Sequence, residues 1–128
     1  MACVDLEDTA TSTVWEAELE AVLAFPDVSG EAAAVTRPEG GTAVGVDLRG
    51  AQPGAMHQWA VLLGSCASPG AQIGPNSDYP VLEVGLGGSA SAETQLGLTL
   101  TLPNTYHVEV RVSATDASRV ACGDLLPR

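Results

Sequence analysis

The sequence predicts an all-β protein, because apolar and polar residues alternate with a period of two along most of its longer segments. Residues 13–24 are the clearest case, since Glu16, Glu18 and Glu20 occupy every second position of a mainly apolar segment. In a helix the three glutamates would point in different directions, whereas in a strand they share one face. Turns rich in glycine and proline, such as residues 37–41, separate these segments.

Further strands are predicted at residues 29–36, 42–49, 81–85, 93–102 and 106–112. Alternation also assigns the side chains that should point into the core. They are Trp15, Ala17, Leu19, Ala21 and Leu23 of the first strand, Val44, Val46 and Leu48 of the third, Leu96, Leu98, Leu100 and Leu102 of the segment 93–102, and Tyr106, Val108, Val110 and Val112 of the last.

A central strand is predicted within residues 54–66, which read GAMHQWAVLLGSC. Ala60 and Leu62 stand where a half-exposed strand would carry polar groups, so both faces of this strand should be buried. Residues 67–80 follow, rich in Pro, Gly, Asn and Ser, and are predicted to form an irregular loop. Asp78 in that loop is interpreted as a turn residue.

The chain has a formal net charge of −11, and its five basic residues are all arginine. Nucleic acids and anionic membrane surfaces both require a basic patch, so neither is an expected partner. No apolar run reaches the roughly 18 residues of a membrane-spanning helix. We predict a flexible acidic tether at residues 1–12 and a single β domain at residues 13–128.

Few residues in the chain suit catalysis or metal binding. The two histidines are His57 and His107, and His57 with Met56 could bind a soft metal ion weakly, although an ordinary turn histidine is the preferred interpretation. No Gly-x-Ser-x-Gly motif and no Gly-x-x-x-x-Gly-Lys loop occurs. The sequence therefore predicts no cofactor, and an enzyme is the weaker functional class.

Two motifs resemble the copper-zinc superoxide dismutase family. One is the central strand, which resembles the family's Gly-turn and His-Gly-Phe-His-Val-His strand, with Trp59 and Val61 at its core positions. The other is Ser-Arg-Val-Ala-Cys-Gly-Asp, which begins at Ser118 and is similar to the segment that closes these enzymes. The resemblance implies a Greek-key β-sandwich or flattened eight-stranded barrel.

The resemblance also indicates what this chain lacks. Three positions that hold copper-binding histidines in the family are occupied by Ala60, Leu62 and Arg111. Arg119 matches the arginine that guides superoxide to copper, but without copper we interpret it as a side chain that ties a loop. The resemblance therefore implies a degenerate member with no metal site, a pseudoenzyme of the superoxide dismutase type.

The cysteines give expectations about location. The resemblance implies a disulfide between Cys66 and Cys122, and such bonds persist outside the cytosol. Ala2-Cys3 resembles the end of a bacterial lipobox, which makes Cys3 a candidate lipid-attachment site, while a free cysteine in a frayed terminus is the alternative. A periplasmic or secreted location follows, with any membrane contact made through a lipid on Cys3.

Two functions remain open from the sequence. The preferred one is a non-catalytic extracytoplasmic binding or structural module, a lipoprotein or a subunit of a larger membrane-associated assembly, whose protein partner or self-association is not identified. The alternative is a copper- or zinc-dependent oxidoreductase, or a copper carrier, that takes its ligands from an unusual place or from a partner chain.

Overall fold

The computed structural model describes residues 12–128, and the predicted all-β class is confirmed there by nine antiparallel strands. The strands are β1 (Val14–Ala21), β2 (Ser29–Thr36), β3 (Thr42–Arg49), β4 (Met56–Gly64), β5 (Pro69–Gln72), β6 (Leu82–Glu83), β7 (Ala90–Leu96), β8 (Tyr106–Arg111) and β9 (Arg119–Pro127). A single 3₁₀ turn at Asn76–Asp78 completes the regular elements of this part of the chain.

The strands form one sheet that curls into a half-barrel. Its order is β5-β4-β8-β9-β1-β2-β3-β7, and β6 pairs with β4 away from this path. The connections from β3 to β4 and from β7 to β8 each run between strands that are distant in the sheet, as in a Greek key.

Residues 73–80 lie beside the open side of the half-barrel, between β4 and β7. The hydroxyl of Tyr79 donates a hydrogen bond to the carbonyl oxygen of Ile73, and Trp59 Nε1 donates to the carbonyl oxygen of Pro80 at 2.6 Å. The rings of Tyr79 and Trp59 meet edge to face with centroids 5.0 Å apart. Tyr79 of this loop therefore belongs to the hydrophobic core, at a place where β6 has only two residues.

The first strand matches the predicted alternation, but it is shorter than expected. Trp15, Ala17 and Leu19 are buried, and the intervening glutamates are exposed. The assignment of Leu23 to the core is wrong, because β1 ends at Ala21 and Leu23 is 99% exposed. The chain turns there, since the amide of Phe25 donates to the carbonyl oxygen of Val22.

The predicted strand at 93–102 is displaced toward the N-terminus, where it forms β7. Leu98 and Leu102 are exposed, which contradicts their inward assignment. The hydroxyl of Thr42 explains the change, because it donates to the carbonyl oxygen of Leu98 and accepts a hydrogen bond from the amide of Leu100. These side-chain bonds replace the strand ladder after Leu96.

Two short strands differ from the predictions for their segments. The predicted loop 67–80 contains β5, which pairs with β4 through an irregular register between Leu62 and Gly64. The predicted strand at 81–85 retains only the two residues of β6. Because β5 includes a proline and a glycine, pairing with β4 rather than intrinsic propensity explains its extended conformation.

The central strand β4 is buried on both faces, as the sequence predicts. Its positions from His57 to Leu62 are all buried, and Trp59, Ala60 and Val61 have no solvent exposure. Beyond β4, the rings of Trp15 and Tyr106 meet edge to face with centroids 5.5 Å apart.

Among the described residues, no helix is long and apolar enough to cross a membrane.

Candidate functional site

The face of β4 and β8 that points away from the interior carries the positions at which the resemblance implies lost metal ligands. Ala60 lies opposite Glu109, and Leu62 lies opposite His107. Arg111 follows Glu109 by two residues on β8, so its side chain has the same orientation. The fold therefore brings Ala60, Leu62 and Arg111 to one surface of two neighbouring strands.

The segment 65–80 covers this surface. Gln72 Oε1 accepts a hydrogen bond from Arg111 at 2.7 Å, and the amide of Gln58 approaches the carbonyl oxygen of Asn76 at 3.5 Å. As a consequence Ala60 is fully buried and Leu62 is only 6% exposed. The outward-facing side chains of this part of the sheet are thus buried as well, beneath segment 65–80.

Four charged or ionisable side chains meet in this covered region and are called here the Glu109 cluster: His107, Glu109, Arg111 and Arg119. Glu109 Oε2 accepts hydrogen bonds from His107 Nε2 at 3.0 Å and from Arg119 at 2.8 Å. Its other oxygen accepts from Arg111 Nε at 3.3 Å. Because a carboxylate can only accept, the hydrogen of His107 lies on Nε2 in this contact.

The hydrogen bonds from His107 and from the two guanidinium groups determine the charge state of Glu109. Burial raises the pKa of Glu109, but the hydrogen bonds from His107, Arg119 and Arg111 and the positive charge of Arg119 outweigh it, and its pKa lies below the usual value. The carboxylate is therefore ionised at neutral pH. Glu109 is only 6% exposed, so this is a nearly buried ion cluster in which two guanidinium groups contact one carboxylate.

One fully buried polar atom of the Glu109 cluster has no hydrogen-bond partner in the part of the chain that the structure describes. It is Nδ1 of His107, a residue with no solvent exposure. Within residues 12–128, no group of three or more histidine, cysteine, aspartate or glutamate side chains is arranged to hold a metal ion. The cluster therefore offers one free nitrogen but no converging ligand set.

A disulfide joins Cys66 to Cys122, the pair that the resemblance implies, with an S–S distance of 2.08 Å and Cα atoms 6.0 Å apart. Gly64 has a φ of +88°, which lets the chain leave β4 sharply before Cys66. Gly123 lies so close to the carbonyl oxygen of Glu18 that a Cβ atom would clash with it. Gly64 therefore permits the turn into the loop that carries Cys66, and Gly123 permits the close approach of β9 to β1.

Arg119 connects the disulfide to the Glu109 cluster. Its guanidinium donates to the carbonyl oxygen of Cys66 at 2.8 Å as well as to Glu109. The amide of Cys66 donates to Asp124 Oδ1 at 2.8 Å, which fixes the same loop to β9. These contacts agree with the interpretation of Arg119 as a side chain that ties a loop.

Met56 and His57 do not converge. Met56 is 57% exposed, whereas His57 is buried within β4 and is not the turn histidine that the sequence suggested. His57 Nδ1 lies 3.0 Å from the carbonyl oxygen of Arg111 and 3.1 Å from that of Val112, so this nitrogen is a donor to backbone. The two neighbouring residues point to opposite sides of the strand, which leaves no common site for a metal ion.

Cys3 lies outside the described residues, as does nearly all of the tether predicted at residues 1–12.

Glu109 and Gln72 are two residues of the site whose importance the sequence analysis missed. The signal for Glu109 was present, because His107, Glu109 and Arg111 occur at every second position of a predicted strand. Three ionisable residues on one face of a strand with buried neighbours indicate a polar cluster.

The arrangement as a whole holds a loop against a sheet. Arg111, Arg119, the carboxylate of Asp124 and one disulfide join segment 65–80 to β8 and β9, and Ala60 and Leu62 are buried beneath it. No protein-family model matches this chain, and no curated protein matches it in sequence.

Proposed function

We propose that this chain is a non-catalytic, superoxide-dismutase-like module that acts outside the cytoplasm by binding a protein partner or by serving as a structural subunit. One observation carries the proposal. The surface on which the resemblance would require copper is filled by the Glu109 cluster and covered by segment 65–80. Such a module would retain the β-sheet of the superoxide dismutase family but not its catalytic activity.

The side chains on that surface argue against redox catalysis at a bound metal. Ala60 and Leu62 contain no donor atom, and a metal site needs three or four converging ligands. The guanidinium of Arg111 is positively charged and repels a cation, and its hydrogen bonds are already committed to Glu109 and Gln72. Arg119 is likewise engaged with Glu109 and Cys66 rather than free to guide an anion.

One observation favours the metal-dependent alternative, an oxidoreductase or a copper carrier. His107 Nδ1 is buried and has no partner within residues 12–128, and imidazole nitrogen is a common ligand of copper and zinc. A metal ion bound there would need its remaining ligands from a partner chain. This alternative predicts about one metal ion per chain in the native complex.

The proposed location is supported by the cysteines. The Cys66–Cys122 disulfide is compatible with an oxidising compartment.

A lipid on Cys3 would anchor the module to a membrane, and the native protein should then fractionate with membranes and gain the mass of its acyl chains. Cys3→Ser should release it to the soluble fraction, whereas an unmodified N-terminus in soluble wild-type protein would rule out the lipoprotein.

Metal content and superoxide dismutation together test the proposed function. We expect purified protein to contain no stoichiometric copper or zinc and to show no dismutase activity after incubation with either metal. A variant carrying both Ala60→His and Leu62→His should also remain inactive, because Arg111 and the cover over it are unchanged. Tight stoichiometric copper binding by the wild type in calorimetry would refute the proposal and favour the copper-dependent alternative.

A further inference from the structure

Several loops meet at the end of the half-barrel where the described part of the chain begins. The amide of Thr13 donates to Thr36 Oγ1 at 2.8 Å, which ties the start of β1 to the end of β2. Thr36 is paired with Thr42 on β3, and the hydroxyl of Thr42 donates to the carbonyl oxygen of Leu98 at 2.8 Å. We call this surface the tether end, and it is formed by residues 12–13, the turn 37–41 and the loop 97–105.

The tether end exposes leucine side chains and carries no charge on its longest loop. Leu98 and Leu102 are 46% and 63% exposed, although leucine is usually buried. Leu63 is 39% exposed close to them, since its strand neighbour is Tyr106, whose hydroxyl accepts from the backbone of this loop. The loop 97–105 contains no charged residue. Exposed apolar surfaces of this kind mark contacts with membranes or with other proteins.

The charges around the tether end balance. Arg37 and Glu39 lie in the turn after β2. The amide of Arg128 donates to the carbonyl oxygen of Val14, and its guanidinium pairs with Glu16 at 3.0 Å. Two positive and two negative side chains thus meet here, whereas the whole chain has five basic and 16 acidic residues. An uncharged apolar surface can therefore approach this end without burying an excess of either charge.

The opposite end of the half-barrel also exposes leucines, but the chain does not enter there. Leu23 is 99% exposed and Leu86 is 97% exposed, in the turns after β1 and before β7. Cys3 precedes residue 12 by nine positions, which span at most about 32 Å. The eight residues of β1 alone are about 26 Å long. A membrane anchor on Cys3 therefore reaches the opposite end only if residues 3–12 run almost fully extended along the barrel.

We propose that the tether end faces a membrane, and that Leu63, Leu98 and Leu102 contact its lipid when a lipid on Cys3 anchors the chain. The inference rests on the membrane-anchored form of the proposed function and adds which end of the module meets the bilayer. A single acyl chain binds a membrane only marginally, and binding grows with the apolar area that is buried in addition. The acidic outer face of β1 and β2 then remains open to a protein partner.

The test attaches Cys3 to a membrane chemically, so that it does not depend on natural lipidation. Because Cys66 and Cys122 are bonded to each other, a maleimide lipid in phosphatidylcholine vesicles couples to the full chain through Cys3. Hydrogen exchange measured by mass spectrometry should then slow in the loop 97–105 and stay unchanged around Leu86. Cys3→Ser protein mixed with the same vesicles gives the uncoupled baseline.

Substitution of exposed leucines separates contact with lipid from mere proximity to the vesicle. A variant carrying Leu98→Ser and Leu102→Ser should lose the protection by at least about tenfold, because the exposed parts of two leucines favour the lipid-bound arrangement by that factor. The matched control carries Leu23→Ser and Leu86→Ser and should keep the protection of the coupled wild type. Unchanged urea denaturation checks that both variants fold, and the exchange pattern of the wild type needs neither variant.

Each of the other outcomes would overturn the inference. Equal protection in the wild type and in the variant of Leu98 and Leu102 would show that proximity alone shields the loop. Protection around Leu86, or at neither end, would show that this surface does not meet the membrane. Protection of the loop 97–105 that rises with protein concentration without vesicles would replace the membrane with a second copy.

Failure of this inference is distinguishable from failure of the proposed function. An unmodified Cys3 in the native protein would remove the anchor and with it the membrane contact. The non-catalytic role would remain in place, because metal content and dismutase activity test it separately.

Discussion

The outer surface of the sheet has two halves that contain the same kinds of residue in opposite environments. On β8, Glu109 is 6% exposed and bound by two arginines beneath segment 65–80. On β1 and β2, Glu18 and Glu31 lie opposite each other and both are exposed to water. Segment 65–80 covers the first half, whereas the carboxylates of the second half face solvent.

This difference determines what each carboxylate contributes. Water screens exposed charges, so the exposed half keeps its acidic residues at little energetic cost and with little benefit. The covered half must neutralise Glu109, because a buried carboxylate without partners is strongly unfavourable. A glutamate on an outward face of a strand can thus be either a solubilising group or a structural one. The following predictions distinguish the two by the effect of each substitution on the free energy of unfolding.

Loss of the disulfide should have the largest effect, because it releases the cover itself. The bond closes a loop of 56 positions, for which the chain-entropy model gives about 4 kcal/mol of stabilisation. Replacing both Cys66 and Cys122 by serine should therefore lower the free energy of unfolding by that amount in urea denaturation, and should increase amide exchange in β8. An unchanged denaturation midpoint would show that the loop is held without the bond.

Glu109→Gln should have the next largest effect. The substitution keeps the size of the side chain but leaves Arg111 and Arg119 without their carboxylate, which should cost about 3 kcal/mol, the lower end for a broken buried ion pair because Arg119 is 28% exposed. Glu18→Gln is the matched control in the exposed half and should change stability by less than about 0.5 kcal/mol. Equal effects in urea denaturation would mean that the two halves do not differ as described.

The pH dependence of stability should differ between wild type and Glu109→Gln. Because the folded state lowers the pKa of Glu109 below its usual 4.5, the ionised carboxylate stabilises the fold above that pH. This stabilisation is lost as the pH falls below 4.5 and passes through the lowered pKa. The gap between the two proteins in thermal denaturation should therefore narrow on acidification, and a constant gap from neutral pH to pH 3 would contradict the assignment.

Arg49→Gln should have the smallest effect. Arg49 pairs with Glu31 in the exposed half, and both side chains are about half exposed, at 50% and 55%. Exposed ion pairs of this kind contribute little to stability, so the variant should unfold at the same urea concentration as the wild type. A loss comparable to that of Glu109→Gln would reveal that the exposed half is covered too, for instance by self-association, which sedimentation would detect.

The sequence by itself determined most of the strands and their orientation. A period of two is a local property, so it assigned Trp15, Ala17 and Leu19 to the core and the intervening glutamates to the outer surface without knowledge of the fold. The sequence also indicated that both faces of β4 are buried, because Ala60 and Leu62 replace the polar residues of a half-exposed strand. The pairing of Cys66 with Cys122 came from a resemblance rather than from the chain's own pattern.

Only the tertiary structure decided where strands end and which outer surface is covered. β7 ends at Leu96 because Thr42, distant in sequence, binds the backbone at Leu98 and Leu100. The burial of Glu109 likewise depends on Gln72, which reaches Arg111 across 39 positions of the chain. Alternation reports which way a side chain points, but burial depends on what lies above it, and contacts between distant segments leave no periodic signal in the sequence.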